Sequence, residues 1–188
     1  MKQSIVTLSL ILILFGCETF GSKKIAHYEK YKPTPVLTKK VDKVDFYSRR
    51  DAFGEFSNFA LFPIEIDGVM WPTSEHYYQA YKYNEPELRE WVRAAKKPYE
   101  AAQRGRDKSK PKRKDWKQAK DAIMEKALVA KFSQYPQLQE LLLSTGDAVL
   151  YEHTKNDCYW GDCGNRKGKN KLGKALMAIR KRLKNGTL

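Results

Sequence analysis

Trp71-Pro72-Thr73-Ser74-Glu75-His76-Tyr77-Tyr78-Gln79-Ala80-Tyr81-Lys82 is the stretch in which the period of the sequence changes from two to 3.6. Upstream, Ile64-Glu65-Ile66-Asp67-Gly68-Val69-Met70-Trp71 alternates about an Asp-Gly turn, the pattern of a β-hairpin. Downstream of Pro72 the signals are helical, with Thr73 placed to cap a helix running to Tyr83. At 100° per residue, Glu75, Gln79 and Lys82 share one face and Tyr77, Ala80 and Tyr81 lie on the other side. An acid, an amide and a cation are thereby aligned. On composition alone they read as a solvated face carrying a charge pair. As a site, Glu75 is a carboxylate kept ionised by the helix dipole and by Lys82.

Working outward, Val41, Val44, Phe46 and Tyr47 suggest a first strand, and Phe53-Gly54-Glu55-Phe56-Ser57-Asn58-Phe59 is too aromatic for a plain solvent loop. Pro86 and Pro98 sit where first helical turns tolerate proline, opening two short helices. The longest helix runs from about Asp115 to Tyr135, and Leu138, Leu141 and Leu142 continue the core. Val149-Leu150-Tyr151 suggests another strand. In the last helix Leu172, Leu176, Ile179 and Leu183 form one narrow stripe, with Lys171, Lys174, Arg180, Lys181, Arg182 and Lys184 outside it. The expected fold class is α+β: a predominantly helical single domain with a small antiparallel sheet, spanning residues 41–188.

With 188 residues, 41% hydrophobic and 12% aromatic, the chain has enough apolar matter for one compact domain. Its formal charge of +14 implies an anionic partner: a phosphorylated small molecule, a nucleic acid or a lipid headgroup. Three cysteines are too few for a disulfide scaffold or a Cys-only zinc site. His27, His76 and His153 show no familiar ligand spacing, so no metal is expected. Ile5 to Phe15 is an apolar run shorter than the ~20 residues of a membrane span, and Leu14-Phe15-Gly16-Cys17 resembles a bacterial lipoprotein signal. The expectation is a signal over residues 1–16, lipidation at Cys17 and a lysine- and proline-containing tether over 17–40, placing the protein at the cell envelope. An ordinary secretory signal or an uncut anchor is the alternative, and if the signal is unused the protein is cytoplasmic.

Two further clusters stand out. Glu152-His153-Thr154-Lys155-Asn156-Asp157-Cys158-Tyr159-Trp160-Gly161-Asp162-Cys163-Gly164-Asn165 combines carboxylates, an aromatic plate and glycines, as a site for a flat heterocycle needs; equally, it is a surface turn with Trp160 closing the core. Cys158 and Cys163 are able to pair if the domain is exported. From Arg104 to Lys117 eight of fourteen residues are basic, a run that is solvated, binds polyanions, or holds one phosphate through Arg104 or Arg106.

Phe46-Tyr47, the Phe53-Gly54-Glu55-Phe56-Ser57-Asn58-Phe59 segment, Trp71 to Lys82, Gly105-Arg106-Asp107, Glu152-His153-Thr154, Asn156-Asp157-x-x-Trp160-Gly161 and Gly168-Lys169-Asn170-x-Leu172-Gly173 occur in an order that resembles the YbiA-like, or NADAR, family. The resemblance implies that family's fold and an N-glycosidase acting on phosphorylated ribosylamino-pyrimidine intermediates of riboflavin synthesis. The products would be ribose 5-phosphate and a free aminopyrimidine, formed without metal or redox cofactor. Related members act on base-linked ADP-ribose, so the alternative is a hydrolase or silent binding module for ADP-ribose, NAD-derived ligands or ADP-ribosylated nucleic acid at the envelope. By position, the resemblance makes Glu75 and Asp157 catalytic and puts Trp160 in the pocket motif; Phe56, Asn58 and Gln79 are expected around the substrate, with Lys82, Arg104 and Arg106 facing its phosphate. No obligate protein partner is evident.

Overall fold

A computed structural model describes residues 34–188; the expected signal, Cys17 and most of the tether lie outside them. The hairpin forms as its pattern requires. Strands β2 (Ile64–Ile66) and β3 (Val69–Trp71) pair antiparallel, Ile64 opposite Trp71, across a turn in which Asp67 and Gly68 both take positive φ. The other pair departs from the antiparallel expectation. Strand β1 (Lys43–Phe46) lies parallel to β4 (Val149–Glu152), with Phe46 opposite Glu152. Parallel neighbours need a long crossover, and here nearly the whole helical body lies between them.

Six helices follow the hairpin or frame β4: α1 (Ser74–Ala80), α2 (Pro86–Arg93), α3 (Pro98–Arg106), α4 (Trp116–Gln134), α5 (Pro136–Ser144) and α6 (Lys171–Lys184). Pro86 and Pro98 open helices, as does Pro136, which starts a helix where the sequence suggested only more core. Thr73 caps α1 by accepting from the His76 N–H. The helix stops at Ala80, earlier than expected, and the Tyr83 N–H turns back to the Ala80 carbonyl at 3.1 Å. Among the described residues no helix is long and apolar enough to cross a membrane.

The core gathers Phe46, Phe56, Phe62, Leu128, Phe132 and Leu142, with Phe56 edge-on to Phe46 at 5.8 Å. Lys131 is buried within it, donating to the carbonyls of Glu55 and Ser57 and so clamping the aromatic segment against α4. On α6, Leu172, Leu176 and Ile179 are buried as their stripe requires. Arg180 is buried too, because its guanidinium ties Thr145 Oγ1 (2.6 Å) and the Ala148 carbonyl (2.9 Å) at the end of α5. Residues 34–40, expected to be tether, touch the domain: Thr34 donates twice to the Glu55 carboxylate, and the Leu37 N–H to Ser144 Oγ.

Candidate active site

Helix α1 packs against α2, α3 and α4, and every one of its residues is buried. The solvated-face reading therefore fails, with Glu75 only 5% exposed. Close approach of α3 depends on Gly105, where an added Cβ would fall 2.8 Å from Gln79 Cβ and nearer still to the amide oxygen. The start of α1 is pinned from both sides. The Glu75 N–H reaches the Asn58 carbonyl (3.2 Å), while His76 donates from Nε2 to the Ala95 carbonyl and accepts at Nδ1 from Thr73, since a carbonyl can only accept.

Around Glu75 the charges are opposed. Burial pushes its carboxyl up, against the 2.6 Å bond from Gln79 Nε2 and the nearby Lys82 and Arg106, while Asp157 pushes it further up. Burial brings the Lys82 ammonium down to about 8, although Glu75 pulls the other way. Lys82 Nζ stands 5.5 Å from the ring centres of both Tyr78 and Trp116, and Tyr78 in turn meets Trp160 edge-on at 5.4 Å. Trp160 Nε1 donates to the Tyr78 hydroxyl at 3.1 Å, so these rings and the cation form one wall.

The opposite acid comes from the loop after β4. Asp157 Oδ1 accepts the N–H groups of Tyr159 and Trp160, each at 2.7 Å, which fixes the carboxyl beside the tryptophan. Below it, the fully buried Asp162 gathers the His153 ring (2.8 Å), the Thr154 N–H (3.2 Å) and the Gly164 N–H (2.9 Å). Burial pushes that carboxyl up, but these partners outweigh it and hold it below the usual range. Cys158 and Cys163 form a disulfide across the same loop, their Cα atoms 4.4 Å apart.

A third acid completes the cluster. Glu152 is pushed up to about 8, by burial first and then by Asp157, Glu75 and Asp162. It shares a face of β4 with the buried Leu150, two residues earlier. A carboxyl at a core-facing strand position was the signal for it in the sequence. Trp116 has no comparable signal, since it opens α4 and meets Tyr78 at 5.0 Å only through packing.

Two expected substrate residues are elsewhere. Phe56 is wholly buried in the core, between Phe46 and Phe132. Arg104 turns from Glu75, donating to the Trp91 carbonyl and lying over the Trp91 ring. Arg104 and Arg106 are two residues apart on α3, about 200° around the helix, so both cannot face one ligand. Arg106 is the exposed one that acts on Glu75. Among the described residues, the buried side-chain polar atoms without a partner are Asn58 Oδ1, Ser74 Oγ, Gln79 Oε1, Glu152 Oε2 and Trp71 Nε1. Of these, Asn58, Ser74 and Gln79 adjoin Glu75, and Glu152 feels its charge; buried polar groups left unpaired mark a place for a ligand or water. No group of three His, Cys, Asp or Glu among the described residues is arranged to hold a metal ion.

Comparison with known proteins identifies the family of the chain. The NADAR domain model matches residues 45–184. N-glycosidase YbiA of Escherichia coli (strain K12) is 54% identical over 140 residues, covering 74% of this chain and 88% of that protein. The chloroplastic riboflavin biosynthesis protein PYRR of Zea mays is 41% identical over 152 residues, covering 73% of this chain and 24% of that one. The NMR structure of E. coli YbiA superposes with a TM-score of 0.72 at 49% identity, covering 81% of this chain and 94% of that chain.

Proposed function

The chain belongs to the NADAR domain family, and from that premise we propose that this N-glycosidase hydrolyses the bond between C1′ of a phosphorylated ribose and the nitrogen of an aminopyrimidine related to riboflavin synthesis. The observation that supports it most is the meeting of Glu75, Glu152 and Asp157 beside an aromatic wall, ringed by unpartnered polar atoms. Breaking a ribosyl C–N bond builds positive charge on the sugar, which nearby carboxylates stabilise. Asp157 receives the proton of the attacking water, whose oxygen bonds to C1′. Glu75 acts on ribose hydroxyls or in proton transfer, and the departing nitrogen takes up a proton. Trp160 stacks on the base. The products are ribose 5-phosphate and the free aminopyrimidine.

Incubating the protein with the ribosylamino-pyrimidine phosphate and following release of the base tests this directly. Glu75→Gln and Asp157→Asn should each lower turnover by at least ~100-fold with an unchanged melting curve. Full turnover in both variants would remove these residues from the chemistry.

Location bears on the natural substrate. The apolar run before Cys17 favours export and a lipid anchor, and the Cys158–Cys163 disulfide is consistent with export alone, since disulfides persist in oxidising compartments. There the same bond would be presented by an external ribosyl compound, such as base-linked ADP-ribose, in place of a cytoplasmic intermediate. Mass spectrometry of the mature N-terminus decides it: a diacylated Cys17 supports the anchor, and an intact Met1 in the cytosol ends it.

A further inference from the structure

A cleft of about 310 Å³ opens where Tyr47, Ser48, Arg49, Arg50, Ser57 and Phe59 face Glu152. None of Tyr78, Lys82, Trp116 or Trp160 lines it, so Glu152 is the wall it shares with the carboxyl cluster. The groups around it are donors. Arg49 and Arg50 make no side-chain hydrogen bond or ion pair among the described residues. Every other arginine except Arg106 is committed to a carbonyl, hydroxyl or carboxylate of the protein: Arg89, Arg93, Arg104, Arg113, Arg166, Arg180 and Arg182. Ser48 Oγ accepts the Arg50 N–H (3.2 Å) and Ser57 Oγ the Phe59 N–H (3.3 Å), which leaves both hydroxyl hydrogens to give away.

We infer that this cleft is the subsite for the 5-phosphate of the ribosyl substrate, held by Arg49 and Arg50 with the hydroxyls of Ser48 and Ser57. The inference rests on the N-glycosidase reading above. In a ribosyl N-glycoside the base on C1′ and the phosphate on C5′ leave opposite ends of the sugar. With the base against Trp160, on the side where Lys82 and Arg106 stand, the ring over Glu75 and Asp157 directs C5′ away from those cations and past Glu152. An acid at this wall is no obstacle to an anion, because burial lets Glu152 keep its proton to about pH 8 and so donate. Arg49 and Arg50 both line the cleft, and a guanidinium group supplies the forked, charge-assisted bonds that oxyanions favour. Lys82 and Arg106 are then left to oppose the charge of the acids.

The test compares the phosphorylated substrate with its dephosphorylated analogue in the wild type, in the double variant Arg49→Ala/Arg50→Ala and in Arg106→Ala. Arg50 is exposed and Arg49 half-buried, and neither side chain bonds to another described residue, so their removal should spare the fold. The double variant should raise KM for the phosphorylated substrate by about 30-fold or more and leave the analogue within about threefold. Arg106→Ala should affect the two substrates alike. A phosphate-selective loss in Arg106→Ala, with none in the double variant, would overturn the assignment. Calorimetric titration with ribose 5-phosphate separates the cleft from the reaction. Binding that needs Arg49 and Arg50 in a protein that releases no base keeps the subsite and removes the N-glycosidase reading. Base release indifferent to both arginines keeps the reading and removes the subsite.

Discussion

At Glu152 a negative charge is hard to hold, since burial, Asp157, Glu75 and Asp162 all press its carboxyl toward the protonated form, up to about 8 from the ordinary 4.5. Between those two values the folded protein keeps a proton that the unfolded chain has already released. Stability contributed by this group is therefore full below about pH 4.5 and declines as pH rises toward 8. Lys131 works in the opposite sense at higher pH: burial brings its ammonium down to about 7 from 10.5, so the unfolded chain holds a proton the folded one lacks, and stability rises with pH over that range. Glu152→Gln removes the first effect and leaves the second. Measured by urea denaturation, the variant should gain on the wild type as pH rises from about 5 to about 8.5, by up to about 4 kcal/mol at ~1.4 kcal/mol per pKa unit. A constant difference across that range would mean that Glu152 is ionised throughout.

Between elements, the site depends on how closely α3 approaches α1. Gly105 faces Gln79 without a side chain of its own, and Gln79 is the residue whose amide holds Glu75. Gly105→Ala should push Gln79 off the carboxyl or lift α3 away, costing about 1–3 kcal/mol of stability as an overpacked contact. Turnover should fall about tenfold at temperatures where the variant is still fully folded, a loss of ~1.4 kcal/mol in transition-state binding. Steady-state kinetics alongside a melting curve separates the two effects. Unchanged kinetics would show that Gln79 does not position Glu75. Such a contact is invisible in the linear order, because Gly105 and Gln79 share a face only once two helices are packed.

For the molecule as a whole, what matters is how the late loop is returned to the early helix. Pairing β1 with β4 carries residues 149–152 across the domain, and the loop that follows is fastened by Asn170, Asp162 and the Cys158–Cys163 bridge. Closing so short a loop should stabilise the fold by about 2 kcal/mol. Reduction, or Cys158→Ser with Cys163→Ser, should lower the melting temperature accordingly and reduce turnover by loosening Asp157 and Trp160. The double variant should then be indifferent to reductant. A wild type equally indifferent would show that the packed loop holds itself.

By itself the sequence determined the local grammar. The Asp-Gly turn at 67–68, the Thr73 cap, the openings at Pro86 and Pro98, the long α4 and the apolar stripe of α6 are each set by residues within a few positions of one another, so pattern and backbone preference suffice. Glu75 and Asp157 entered as candidates through family motifs, which record the outcome of packing without explaining it. Only the tertiary structure decided which side chains share the space around them. It brought in Glu152 and Trp116, turned Arg104 away, placed Phe56 in the core, buried Arg180 and made β4 a parallel partner of β1. Each of those outcomes is a contact between segments far apart along the chain. Such contacts are fixed by the volume to be filled and the polar atoms to be satisfied when helices and strands meet, a condition that no single stretch of sequence contains.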